Sequence, residues 1–367
     1  MNRGQISVWQ MALLLFQMVL GSSILLMPSI TTRLSGRDMW MTPIVVIGVG
    51  YLAVWLAWRL HRLSPDGTFH TLLENVFGKM VGKTLGLLFI VFQLHILSFV
   101  VRDYGEFIVL NFFFKTPVVV VIGMMLALCV WALRAGIEVL ARIGQLFVPL
   151  ITFITILIFA LLIPELDPGK VMPLLERGFE PVFKGSLVVG GWFCQLFLMV
   201  YLLPNVKDSR TALKWGMWAA TGIGAVMLVT NLALLMLLGE STSHYVYPVY
   251  TAARYIAIAD FFEHVESMIM MVWVLGEFIK IGIHLYAVSI GLAQCLQLKK
   301  TDALIVPLGL LLLLFSFRLV PGFQTLAVFV STTGTIYILT GYLLFPLFVY
   351  AGTRVRKAMG GRVRLGD

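Results

Sequence analysis

Charge is what this sequence has least of. Of 367 residues only 12% are Asp, Glu, Lys or Arg, whereas 60% are hydrophobic and the mean hydropathy is +0.95. A soluble domain carries about 25% charged residues, so the composition excludes one and describes a membrane protein. Cysteine is scarce as well. Cys129, Cys194 and Cys295 stand more than 60 residues apart in apolar runs, which supports neither a zinc site nor a disulfide framework; they read as small packing residues. The chain has no glycine loop that could cradle phosphate, no metal-spaced His/Cys cluster and no Ser–His–acid set, so no cofactor or metal is called for and an intramembrane enzyme is the weakest reading. The net charge of +9 would suggest nucleic acid in a soluble protein. Here the basic residues are spread over loops between apolar runs, so no nucleic acid is expected and the question is which side they occupy.

What the chain does have is apolar length. At about 20 residues per crossing, it divides into ten spans near 6–32, 39–60, 84–101 (with a possible extension to 113), 117–133, 143–163, 184–203, 213–238, 268–293, 303–319 and 331–350. The first run begins at Ile6, lacks an early small-residue cleavage site and outlasts a signal h-region, so it reads as span one. With ten spans both termini share a side. That side holds seventeen of the 27 basic residues, from Arg3 to the Arg354–Arg364 tail, against nine opposite, Arg102 among them, with Lys280 inside a span. The positive-inside rule makes it the cytoplasm. The outer loops 164–183 and 239–267 are acidic and long enough for a lid or a partner contact.

Two spans are punctuated alike. Span one runs through helix formers into Gly21-Ser22-Ser23-Ile24 and on to Pro28, and span six carries Gly190-Gly191 before Pro204. Glycine and serine are weak helix formers, so both helices are expected to break near the midplane. Two five-helix inverted repeats predict this arrangement, with unwound backbone lining a cavity. A half-helix starting at Ser22–Ile24 would aim N–H groups at a carboxylate, and carbonyls freed before the break would meet an ammonium; an α-amino acid supplies both. The alternative is that Gly21, Gly190 and Gly191 are close-packing contacts between helices.

Several motifs resemble one family. Ile6-Ser7-x-x-Gln10, Gly21-Ser22-x-Ile24-Leu25-x-x-Pro28, Asp38-x-Trp40, Pro204–Lys207, Ala253–Ile256, Phe262-Glu263-x-x-Glu266-Ser267 and the Trp273–Lys280 segment together are similar to the B-subunit permeases of bacterial spore nutrient-germinant receptors. One position departs, since His264 stands where the family usually has arginine. The resemblance implies an amino acid–polyamine–organocation superfamily fold: all-α, ten transmembrane helices, a LeuT-like five-plus-five inverted repeat with helices 1 and 6 broken. It implies a multi-pass protein of the spore inner membrane that senses a nutrient in complex with A-type and C-type receptor subunits. The whole chain is one polytopic domain, with repeat one near 6–163, repeat two near 184–350 and a basic cytoplasmic tail at 351–367.

Polar residues inside the spans supply the remaining candidates. Glu277 and Lys280 lie at i,i+3 on one face of span eight, either as an ion or proton relay or as a structural pair. Gln93 of span three and Gln195 of span six are expected to line the substrate site with Gly21, Ser22, Ser23, Ile24, Gly190 and Gly191, and Tyr286 either to cap it or to sit in an aromatic belt at the lipid headgroups. His95, Asn231 and His284 read as interhelical glue, and Ser331–Thr335 as packing hydroxyls. The apolar neighbours Ile24, Val189 and Leu196 suggest a small or branched apolar amino acid. The function expected is a nutrient-sensing permease subunit; the alternative is a stand-alone proton-coupled amino-acid symporter.

Overall fold

A computed structural model of the chain describes residues 5–64, 68–256, 265–298 and 301–358. Phe262, Glu263, His264, Lys299, Lys300, Arg3, Arg362 and Arg364 lie outside the described residues. Span one is α1 (Val8–Ser35), opened by a capping box in which Ser7 and Gln10 satisfy each other's backbone N–H groups. Gly36, at φ +58°, turns the chain into a 3-10 corner over Gly36–Met41, from which α2 (Thr42–Leu63) returns with Pro43 in its first turn. A short α3 (Phe69–Phe77) leads into α4 (Lys79–Asn111), α5 (Val118–Arg134) and α6 (Ile137–Leu162). Span six is α7 (Glu180–Phe193), a 3-10 segment Cys194–Leu198 and α8 (Met199–Leu202), and span seven is α9 (Ala212–Leu238). After α10 (Pro248–Ala253) come α11 (Glu266–Cys295), α12 (Asp302–Arg318), α13 (Phe323–Ser331), α14 (Gly334–Leu339) and α15 (Phe345–Ala358).

Among the described residues, seven helical stretches are long and apolar enough to cross a membrane, or eight when α12 and α13, bent by 89°, count as one. The first of these, Val8–Leu63, holds two spans, and the 17-residue α5 falls just short of that length. The ten expected spans therefore each find a helix. Around them α1 is central: it packs against α11, α9, α7 and α6, and almost none of it reaches the surface.

Four expectations need correcting. The break at Gly21 does not occur, because α1 keeps its helix through Gly21–Ser23 and is interrupted only by Pro28, which cannot donate to the carbonyl of Ile24. In span six the change comes three residues after Gly191, at the 3-10 segment. Arg102, expected in an outer loop, is buried inside α4, where Glu106 neutralises it at 2.6 Å. The tail is helical as far as Ala358, since α15 continues the last span.

The N-terminal face is sealed by the family motifs themselves. Ile6 N–H donates to the carbonyl of Asn205 at 2.9 Å and Lys207 N–H donates back to Ile6 at 3.1 Å, so the two segments form a parallel bridge. Beside it, α3 inserts His70 between spans. A Cβ on Gly86 of α4 would come within 2.7 Å of the ring, and one on Gly291 of α11 within 2.5 Å, so both glycines are notches that admit the imidazole. His70 Nε2 bonds Tyr201 at 3.0 Å. Burial pulls its pKa down to about 4. A folded pKa below the unfolded value of about 6.5 means that stability is complete above pH 6.5 and is lost as pH falls from 6.5 towards 4. The thermal midpoint of the purified protein should therefore fall between pH 7 and pH 5 by more than that of His70→Asn, and equal slopes for the two proteins would refute the assignment.

Candidate functional site

The midplane is organised by the crossing of α1 and α11. Gly21 and Gly276 face each other so closely that a Cβ on Gly21 would meet the Gly276 carbonyl oxygen at 3.2 Å and Glu277 Oε1 at 3.3 Å. A Cβ on Gly276 would come 2.6 Å from Gln17 Nε2. Small residues thus let two backbones touch, and that contact sets the next residue, Ser22, at the junction of three spans. Its buried Oγ accepts the Trp192 indole N–H from α7 at 3.0 Å and also accepts from the Lys280 ammonium of α11.

Charge around this hydroxyl is unbalanced. Glu277 is fully buried and neither of its carboxyl oxygens has a hydrogen-bond partner among the described residues. Asp103 of α4 is also buried and lies within electrostatic reach of both Lys280 and Glu277; its Oδ1 accepts from Tyr247 OH at 3.4 Å. One ammonium among two carboxyl groups leaves the cluster one positive charge short. In so dry a setting, a proton, a cation or the ammonium of a ligand must make up the difference.

The other predicted residues separate into groups. Ser23 Oγ contacts Met227 Sδ at 3.7 Å and Ile24 is buried beside it on α1. A Cβ on Gly190 or Gly191 would meet Leu339 and Thr335 only at the ordinary contact distances of 3.6 and 3.7 Å, so, unlike Gly21 and Gly276, neither glycine is demanded by close helix contact. Gln195 Nε2 bonds the Gly191 carbonyl at 3.3 Å, while its Oε1 has no partner among the described residues. Gln93 donates to Tyr201 at 3.1 Å and so belongs to the His70 cluster. Tyr286 donates to Asn205 Oδ1 at 2.9 Å. It is six residues past Lys280, about 9 Å further along α11 at 1.5 Å per residue, and therefore closes the N-terminal face instead of capping the midplane site.

Sequence reasoning missed Trp192, Asp103 and Tyr247. Asp103 had a readable signal, since Arg102, Asp103 and Glu106 show the i,i+4 pairing of a charged helix segment. Once Arg102 and Glu106 neutralise each other, span three can extend past them and carry Asp103 into the bundle. The same arginine donates to the carbonyl of Pro321 at 3.1 Å and lies 4.8 Å over the Phe317 ring, tying α4 to the α12–α13 bend. On the loop face, Asp38 accepts from Leu175 N–H at 2.9 Å and Arg37 pairs with Glu240 at 3.1 Å, which joins both outer loops to the corner after α1.

The family model described as spore germination protein matches residues 5–324. Spore germination protein KB of Bacillus subtilis (strain 168) is 26% identical over 360 residues, covering 95% of both chains. Among solved structures, MhsT in complex with L-phenylalanine superposes with a TM-score of 0.64 at 13% identity, covering 96% of this chain and 99% of that one. A substrate-bound, outward-open Na+-coupled sialic acid symporter gives a TM-score of 0.66 at 14% identity over 93% of this chain and 79% of the other. The fold is thus that of LeuT-like transporters.

Removing Lys280 should expose the charge imbalance. Lys280→Met leaves two buried carboxyl groups with no cation and should cost about 3–5 kcal/mol, read as lower abundance in the membrane and a lower thermal midpoint. Glu277→Gln combined with Lys280→Met should regain most of that loss. Wild-type abundance and midpoint in Lys280→Met alone would contradict the electrostatic account.

Proposed function

Since the chain belongs to the spore germination protein family, we propose that it is the permease subunit of a nutrient germinant receptor, which binds a small amino acid at the α1–α11 crossing and triggers spore germination. The observation that carries the reading is the Ser22 junction, where one ammonium, two carboxyl groups and an indole N–H converge on a helix pinched by Gly21 and Gly276. A zwitterion suits it. Its carboxylate accepts from Lys280 and from the Ser22 hydroxyl, and its ammonium supplies the missing positive charge beside Glu277 and Asp103. In this reading Ser23 and Ile24 of α1 and Gly190, Gly191 and Gln195 of span six shape the space for the ligand's side chain. Glu277 and Lys280 then serve both as ligand contacts and as the groups whose protonation changes when the ligand arrives.

The sealed N-terminal face favours sensing. The Ile6–Asn205 bridge, the Tyr286–Asn205 bond and the His70–Tyr201–Gln93 cluster form successive closures between the midplane and the face we take as cytoplasmic. Ligand binding is then transmitted as a movement of α1 against α7 and α11, which A-type and C-type subunits read in the spore inner membrane. The second reading, a proton-coupled amino-acid symporter acting alone, draws on the surplus carboxyl group, which can carry a proton when no ammonium is bound.

Binding and uptake distinguish the two readings. Purified protein should bind a small apolar amino acid from a labelled panel, and Asp103→Asn or Ser22→Ala should weaken binding by roughly tenfold or more, in line with a lost bond to a charged group. Reconstituted alone in liposomes with an imposed pH gradient, it should not accumulate that amino acid. Concentrative, gradient-driven uptake would establish the symporter, and the absence of binding across the panel would remove the amino acid from both readings.

A further inference from the structure

A cavity of about 230 Å3 opens beside α1, between α6 and α9, with Val272 of α11 in its wall. Its rim is formed by Ile156, Ala225 and Val229, all exposed on the lipid-facing surface of the bundle. Apolar residues exposed within membrane-spanning helices face hydrocarbon, so a molecule entering by this mouth dissolves first in the bilayer. The walls carry no charged side chain, which excludes an ionised ligand.

The interior is nonetheless not wholly apolar. Gln17 lines it, is 1% exposed, and its Oε1 has no hydrogen-bond partner among the described residues. Thr152 and Thr155 line it too, but each donates its hydroxyl proton at 2.8 Å to its own helix, to the Val148 and Ile151 carbonyls. What these threonines can still offer is lone pairs. A buried acceptor left alone costs free energy that a donor would recover, so the matching ligand brings a hydroxyl on an apolar chain. At roughly 30 Å3 per water-sized group, the volume admits about seven or eight heavy atoms.

We propose that this cavity is a lateral binding site for an uncharged single-chain amphiphile, for which a medium-chain alkanol is the model: its hydroxyl donates to Gln17 Oε1 and its chain lies between α6 and α9. The site adjoins the Ser22 junction without including Ser22, Lys280 or Trp192: Gly21 lines the cavity and also faces Gly276. A molecule partitioned in the membrane thereby gains direct purchase on α1.

The test uses the full chain in nanodiscs with a diazirine-bearing heptanol as photolabel, mapped by mass spectrometry, and unlabelled 1-heptanol or n-octane as competitors with the same number of heavy atoms. Labelling should concentrate on α6 and α9 around residues 151–159 and 225–229, and 1-heptanol should compete about tenfold better than n-octane. Gln17→Leu should abolish that difference. Ala225→Trp and Val229→Trp, whose side chains sit at the lipid-facing mouth, should lower labelling at least fivefold while leaving the gel-filtration profile unchanged, and they keep the test decisive should Gln17→Leu misfold. Labelling spread evenly over lipid-facing helices, or equal competition by heptanol and octane, would overturn the proposal and leave only a groove filled by acyl chains.

Discussion

A cation buried at the centre of a membrane bundle constrains everything near it. Lys280 is 1% exposed, and in hydrocarbon its ammonium demands partners. The protein supplies them by bringing three spans to one hydroxyl: Ser22 from α1, Trp192 from α7 and Lys280 itself from α11. That convergence is possible only because Gly21 and Gly276 let α1 and α11 touch backbone to backbone. A side chain at either glycine would separate the helices and strip Lys280 of its acceptor. The expected consequence of Gly21→Val is therefore loss of the junction as a whole, which makes Ser22 and Asp103 the better probes of ligand contact.

The two ends of the bundle are held by different means. On the N-terminal face, backbone pairing between Ile6 and Asn205 is reinforced by neutral hydrogen bonds through Tyr286, His70, Tyr201 and Gln93. On the loop face the ties include ion pairs and charged caps, Arg37 with Glu240 and Asp38 with Leu175 N–H. Exposed ion pairs are individually weak, whereas a neutral chain of buried hydrogen bonds is costly to break and leave unsatisfied. This asymmetry makes the loop face the easier one to open, consistent with a ligand arriving from that side and a closure that stays shut beneath it.

The spans were legible because hydrophobic length survives any detail of packing; nine of the ten expected segments fall within a few residues of a helix, and span three takes the longer of its two expected extents because Glu106 neutralises Arg102 inside the helix. The glycine positions were legible too, but their meaning was not. Glycine in a span signals either unwinding or close contact, and only the facing residue on another helix decides between them. Gly21 faces Gly276 across 255 positions of sequence, a pairing no local pattern can express. The same limit hid Trp192, whose role depends on a hydroxyl 170 residues away, and misassigned Tyr286, whose partner Asn205 sits on the N-terminal face. The pair Glu277 and Lys280, by contrast, was visible because i,i+3 spacing is a local fact.

Two buried basic residues also show why charge balance, more than burial, separates structure from function in this bundle. Arg102 is matched within its own helix by Glu106, donates to the carbonyl of Pro321 and lies over the ring of Phe317, so its charge is balanced before any ligand comes. It serves to anchor α4 to the bent α12–α13 pair. Lys280 has one hydroxyl and two carboxyl groups that it cannot both neutralise. A group whose charge is already satisfied has no reason to respond to a molecule that enters the bundle, whereas a cluster one positive charge short responds to any ammonium or proton that reaches it. The imbalance at Lys280, Glu277 and Asp103 is thus the feature on which the proposed ligand site rests.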